Sequence, residues 1–228
     1  RNDNYYKMRI FLSLLLIIGF QTSVFSQNEF AVWSEIGVKG EFTKKIKWSA
    51  DLNGRFAKGK IETFFPSIGL EYKLAKWFRP SIDYRLVIDQ NKYGNYKLSN
   101  RVNINGEFKK SVKRFTFEAR LRYQYSFNSV RAADYDSEFD QAIRLKPEIE
   151  YDIKGSIFNP VIGAEFFYNP SYNPNGFEFT KIRFTIGTKL ELDGPHSLSF
   201  KYQLDKKTDS YSIGARHVLS VSYAYKIN

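Results

Sequence analysis

From Phe30 onward, apolar and polar side chains alternate with a period of two. In the first segment Phe30, Val32, Ser34, Ile36, Val38, Gly40 and Phe42 share one face, and Glu35, Lys39 and Glu41 the other. Ile46, Trp48, Ala50, Leu52, Gly54 and Phe56 then alternate with Lys47, Ser49, Asp51, Asn53 and Arg55. The same period returns over Phe64 to Leu74, Phe78 to Ile88, Tyr96 to Phe108, Phe115 to Phe127, Ile143 to Ile153, Phe158 to Tyr168, Thr180 to Leu192, Leu198 to Leu204 and Tyr211 to Ile227. Because successive side chains of a strand point to opposite faces, these eleven segments predict an all-β chain, closed as a single antiparallel transmembrane β-barrel of about ten to twelve strands.

The charges sort with the same period. Across roughly seventy positions on the apolar faces there is no Asp, Glu, Lys or Arg, and His217 is the only titratable group besides tyrosine. With 26% of the chain charged, unsorted placement would put about eighteen charges there. Pro66, Pro80, Pro147 and Pro160 also lie on this face. Proline cannot donate to a ladder, so all four are expected near strand ends.

Period two does not say which face is wet, since a soluble barrel turns its apolar face inward and a membrane barrel turns it to lipid. Three features favour lipid. Lys7 and Arg9 flank the start of an apolar run, Ile10 to Phe20, which is followed by Val24-Phe25-Ser26. That run is short of the ~20 residues of a membrane helix and reads as a signal peptide cut after Ser26. Met8 is the single methionine, so Arg1 to Lys7 reads as an upstream extension. Residues 1–26 are then extension and signal, and 27–228 one barrel domain.

Aromatic residues such as Trp48, Trp77, Tyr72, Tyr96, Tyr125, Tyr168 and Tyr225 gather near segment ends, as interfacial girdles do. Connections also alternate in length. Tight turns are expected at Thr43 to Lys45, Ala75 to Lys76, Lys109 to Lys113, Lys154 to Ser156 and Asp193 to Pro195. Longer loops are expected at Ala57 to Lys60, Asp89 to Asn95, Asn128 to Asp140, Asn169 to Asn175 and Asp205 to Ser210. Short periplasmic turns and long outer loops characterise a Gram-negative outer-membrane barrel. Such barrels usually have an even strand number, so eleven segments imply either a miscount by one or an unusual Phe30 segment.

The formal charge is +11, but both signs interleave along the chain, unlike the clustered patch of a nucleic-acid binder. With no cysteine, the chain has no disulfide, thiolate metal site or lipid-modified cysteine. No phosphate-cradling loop or helical metal motif is present, and no cofactor or metal is expected.

The residues Trp33-Ser34-Glu35-Ile36-Gly37-Val38, Thr43-Lys44-Lys45, Trp48 to Phe56, Asp83-Tyr84-Arg85 and Glu118-Ala119-Arg120-Leu121-Arg122-Tyr123 resemble a family of exported barrels catalogued as domain of unknown function 2490. The resemblance covers nearly all of the chain beyond the leader. It implies an outer-membrane location and supplies no catalytic residues.

Two histidines are the obvious candidates for chemistry. His196 follows Asp193-Gly194-Pro195 and reads as a solvated turn residue. His217 shares the apolar face with Ser34, which could approach it if the first and last strands pair, although that face has no carboxylate to orient the imidazole. The polar faces carry far more. Arg55, Arg79, Asp83, Arg85, Arg101, Glu118, Arg120, Arg122, Arg144, Glu148, Glu165 and Arg183 are predicted to line the lumen as a charged network. In so narrow a barrel they would knit a plug of salt bridges, while Arg85, Arg101, Arg120 and Arg122 could instead form an anion-attracting constriction. The expectation is a non-enzymatic barrel in contact with outer-membrane lipid, structural or passing small anionic solutes. The alternatives are a lipid-modifying enzyme, or a binding module acting through the Asn128 to Asp140 loop.

Overall fold

A computed structural model describes residues 28–90, 94–127, 141–170, 178–208 and 215–227. The predicted signal peptide and the Asn128 to Asp140 loop lie outside them. Eleven strands follow one another: β1 (Glu29–Glu41), β2 (Ile46–Ala57), β3 (Lys60–Tyr72), β4 (Phe78–Gln90), β5 (Tyr96–Val112), β6 (Phe115–Phe127), β7 (Gln141–Tyr151), β8 (Phe158–Asn169), β9 (Glu178–Glu191), β10 (His196–Lys207) and β11 (Ala215–Lys226). Each pairs with its chain neighbours, and β1 meets β11 to close the barrel.

Closure corrects one expectation. Ten pairs are antiparallel, but β1 and β11 run parallel, with Phe30 opposite His217 and Val38 opposite Tyr225. The sheet is therefore mixed. An odd number of up-and-down strands leaves its first and last members pointing the same way, so they can meet only in parallel. The count of eleven stands, and the unusual feature is the Phe30 strand.

Local chemistry sets the turns. Lys58 and Gly59, joining β2 to β3, have φ of 52° and 71°, the paired positive angles of a two-residue hairpin whose twist matches the strands. The expected longer loop at Ala57 to Lys60 is thus a tight turn. Lys58 also donates to Glu29 at 2.6 Å, which raises the pKa of its amine.

The prolines need a further correction. Pro80 and Pro160 do lie near strand starts, but Pro66 and Pro147 are in mid-strand. The β3–β4 pairing lapses at Phe65–Pro66, and the β7–β8 pairing at Lys146–Pro147. A missing N–H removes the bond toward one neighbour only, and Pro66 keeps its place opposite Leu52 on the other side.

The two faces separate by chemistry. Outward positions such as Ile36, Ile68, Ile104, Leu121, Ile162 and Ile186 are exposed and apolar. Among the described residues, Lys and Arg reach this face only at strand ends, as Lys110 and Lys206 do. Asn100 and Gln141 each bond an outward tyrosine, Tyr84 and Tyr123. The inward face is mostly polar, with Asn103, Asn159 and Glu165 at most 2% exposed.

Candidate functional site

All twelve charged residues predicted to line the lumen stand on inward-facing positions, and cross-strand register decides their partners. Glu165, Arg183, Asp205, Arg216 and Glu29 are directly opposite one another on five successive strands, β8 through β11 and on to β1, so the signs alternate around that wall. Opposite charges facing across a ladder support the pairing. Arg216 also bonds Glu62 across the lumen.

The β4–β7 wall differs. Here Arg85 faces Arg101, and Arg122 faces Arg144. Like charges in direct opposition destabilise a ladder, so partners must come from elsewhere. Asp83 supplies the first: it accepts from Arg85 at 2.8 Å, Arg122 at 3.3 Å, Asn103 at 2.5 Å and Asn105 at 3.0 Å. Glu165 supplies the second, holding Arg120 at 2.9 Å, Arg144 at 2.8 Å and Arg183 at 3.6 Å. Arg101 bonds Ser126 at 3.1 Å. Nearer the tight turns, Glu148 gathers Lys146, Lys189 and Lys201 at 3.0, 3.4 and 3.2 Å. Arg79 pairs Glu107, and Glu118 pairs Lys109.

Sequence reasoning missed the aromatic part of the site. Arg85, Phe65, Arg55, Trp33, Arg183, Phe167 and Arg144 alternate cation and ring, at guanidinium-to-centroid distances of 5.3, 5.0, 4.3, 4.5, 5.4 and 4.4 Å. Guanidinium over a ring face is attractive and stronger when desolvated. The series crosses the lumen, because β1 and β9, which carry Trp33 and Arg183, are separated along the wall by β10 and β11. A signal existed in Phe64-Phe65 and Phe166-Phe167, since of two adjacent aromatics in a strand one must point inward.

This ladder divides the interior. On the long-loop side, inward Ala31, Ala57, Val87, Ala142 and Val218 are all buried. On the tight-turn side lie two adjoining cavities. The outer one, about 550 Å³, has six basic and six acidic wall residues, including Lys47, Asp51, Glu71 and Lys226. The inner one, about 390 Å³, reaches Trp33, Arg55 and Phe65 and has ten basic wall residues against Glu35 and Glu165 alone. Gly37 makes room for Asp51 of the outer wall, because a Cβ there would overlap an Asp51 carboxylate oxygen.

The histidines sit on the outward face. His217 Nδ1 is 2.5 Å from the Tyr202 hydroxyl. Ser34 is opposite Val221, four positions from His217 along β11, which at ~3.3 Å per residue is about 13 Å. The first and last strands do pair, yet Ser34 and His217 do not meet. His196, expected in a turn, begins β10 and lies against Tyr223 and Tyr225, with Nδ1 2.8 Å from the Tyr223 hydroxyl. Among the described residues, no group of three His, Cys, Asp or Glu could hold a metal ion.

A closed, single-chain β-barrel with an apolar exterior and a charged, half-filled lumen is the class these observations define. Residues 30–212 match the family described as Protein of unknown function (DUF2490), and the chain belongs to that family. No curated protein matches it.

Proposed function

We propose that this protein is a non-enzymatic barrel of the Gram-negative outer membrane, whose lumen admits small solutes from the tight-turn end and is closed toward the long loops. The observation that carries this reading is the continuous exposed apolar exterior. Ile36 is 57% exposed, Ile68 62%, Ile162 55% and Ile186 59%, on strands spread around the wall. Water-soluble monomers rarely expose apolar patches beyond a few hundred Å². Strands of 11 to 17 residues meet or exceed the ~9–11 needed to cross a bilayer when tilted. Ring contacts such as Phe42 with Trp48, Trp77 with Phe108 and Phe115 with Tyr151 cluster near the tight turns, in keeping with an interfacial girdle.

Fractionation tests the reading. The protein is expected in outer-membrane fractions, migrating differently on gels before and after boiling, and conducting little in a planar bilayer. Recovery from the soluble periplasm would refute the lipid-facing exterior. High steady conductance would refute the closed lumen.

A further inference from the structure

The charges in the inner cavity do not balance. Glu165 serves three guanidiniums and Glu148 three ammoniums. Asp205, which Lys181 shares, and Glu150 take up part of Arg183 and Lys189, which still leaves seven cations on four carboxylates, with Glu35 one further carboxylate on the wall. Arg55 adds an eighth: among the described residues its guanidinium forms no ion pair or side-chain hydrogen bond and lies over the Trp33 and Phe65 rings. Uncompensated charge away from bulk water is costly, so such a site favours a counter-ion. Unsatisfied polar atoms adjoin the same cavity. The Trp33 indole nitrogen, Arg120 Nε and Gln203 Oε1 are buried with no hydrogen-bond partner, and all three residues border the cavity.

The geometry points to a binding site for a compact free anion of two or more charges, phosphate- or carboxylate-based, held by Arg55, Arg120, Lys146 and Lys201. Guanidinium forks match the paired oxygens of both groups. A volume of about 390 Å³ falls in the range of small-ligand sites and is far larger than one ion, so water or an organic substituent accompanies it. The balanced outer cavity is the route in, and the aromatic ladder is the floor. The route rests on the proposed opening at the tight-turn end; the charge imbalance does not.

Calorimetric titration of the folded, detergent-solubilised protein with inorganic phosphate and with citrate, against chloride at equal ionic strength, tests the site. Saturable one-to-one binding of phosphate or citrate but not chloride is expected. The R55Q/K201Q double variant should bind at least tenfold more weakly while keeping its heat-modifiable band. Single R55Q, whose loss breaks no ion pair, gives a second reading should the double variant fail to fold. A folded barrel that binds neither anion, or binds them unchanged in R55Q/K201Q, would overturn the proposal. Displacement of phosphate by anionic phospholipid vesicles would overturn the free-anion assignment in favour of a headgroup. A soluble, periplasmic protein that still binds phosphate would sink the membrane reading and leave this one standing.

Discussion

Arg183 and Asp205 stand directly opposite each other on β9 and β10 and join through two parallel bonds, Nε to Oδ1 at 2.5 Å and Nη2 to Oδ2 at 2.7 Å. Arg183 also flanks Trp33 and reaches Glu165, so this pair ties the charged wall to the aromatic ladder. Leaving a buried charge wholly uncompensated costs about 3–5 kcal/mol, and Glu165 at 3.6 Å keeps the loss of Asp205 below that for Arg183. Asp205→Asn should therefore lower the temperature at which the folded gel band is lost. Adding Arg183→Gln should recover part of that loss, which a double-mutant cycle would read.

Trp33→Ala should open the lumen. It removes the central ring of the ladder and leaves Arg55 and Arg183 without the face between them. Bilayer recordings should show conductance well above that of the parent, with anions favoured by the ten basic wall residues beside the gap. Unchanged recordings would mean that the barrier lies elsewhere.

Arginine at Leu121, in the middle of the outward face of β6, should cost about 2–4 kcal/mol of folding stability in lipid. The same residue at Ser49, which faces the outer cavity near Asp51, should be far milder. Ser99 also faces inward as expected, but it is buried, so added bulk there meets packing and not water. Urea unfolding in vesicles separates these cases, and equal losses at Leu121 and Ser49 would contradict the assigned faces.

Gly187→Ala should disrupt the β9–β10 ladder. A Cβ at Gly187 would stand 2.2 Å from the Phe200 carbonyl oxygen and 2.7 Å from the Lys201 Cα, both backbone atoms. Relieving that overlap means moving a strand, at a cost of about 1–3 kcal/mol or more. It should also shift Lys201 away from Glu148. Weaker phosphate binding together with an earlier thermal transition would be the signature.

His217→Ala should remove one hydrogen bond, to Tyr202, worth about 1 kcal/mol. Phospholipid hydrolysis by the parent is expected to be nil, because Ser34 lies too far along the seam. A histidine-dependent hydrolase activity would reverse the non-enzymatic reading.

The sequence made the strands legible because charge avoids one face so thoroughly; β6 begins and ends at Phe115 and Phe127, as the period predicts. The parallel seam was implicit in the count of eleven segments, but the even number usual for such barrels pointed to a miscount instead. The inward placement of Arg120 and Glu165 could be read, but not their meeting, because they lie on β6 and β8 with β7 between. Trp33, Phe65 and Phe167 were lost among outward aromatics, where hydrophobicity is uninformative about side. Pro66 and Pro147 broke the strand-end rule because the ladder tolerates one missing donor if the bonds on the other side persist.

The parallel seam has a consequence for rewiring the chain. In an even barrel the two ends emerge at the same rim, and a few residues could rejoin them in a circular permutant. Here β1 begins at the long-loop rim and β11 ends at the tight-turn rim, so a linker would have to travel the full height of the wall. Outside, it would pass through the apolar zone; inside, it would meet the layer of rings and guanidiniums around Trp33. Permutation should therefore fail with short linkers at every cut site, however mobile the loop that is opened.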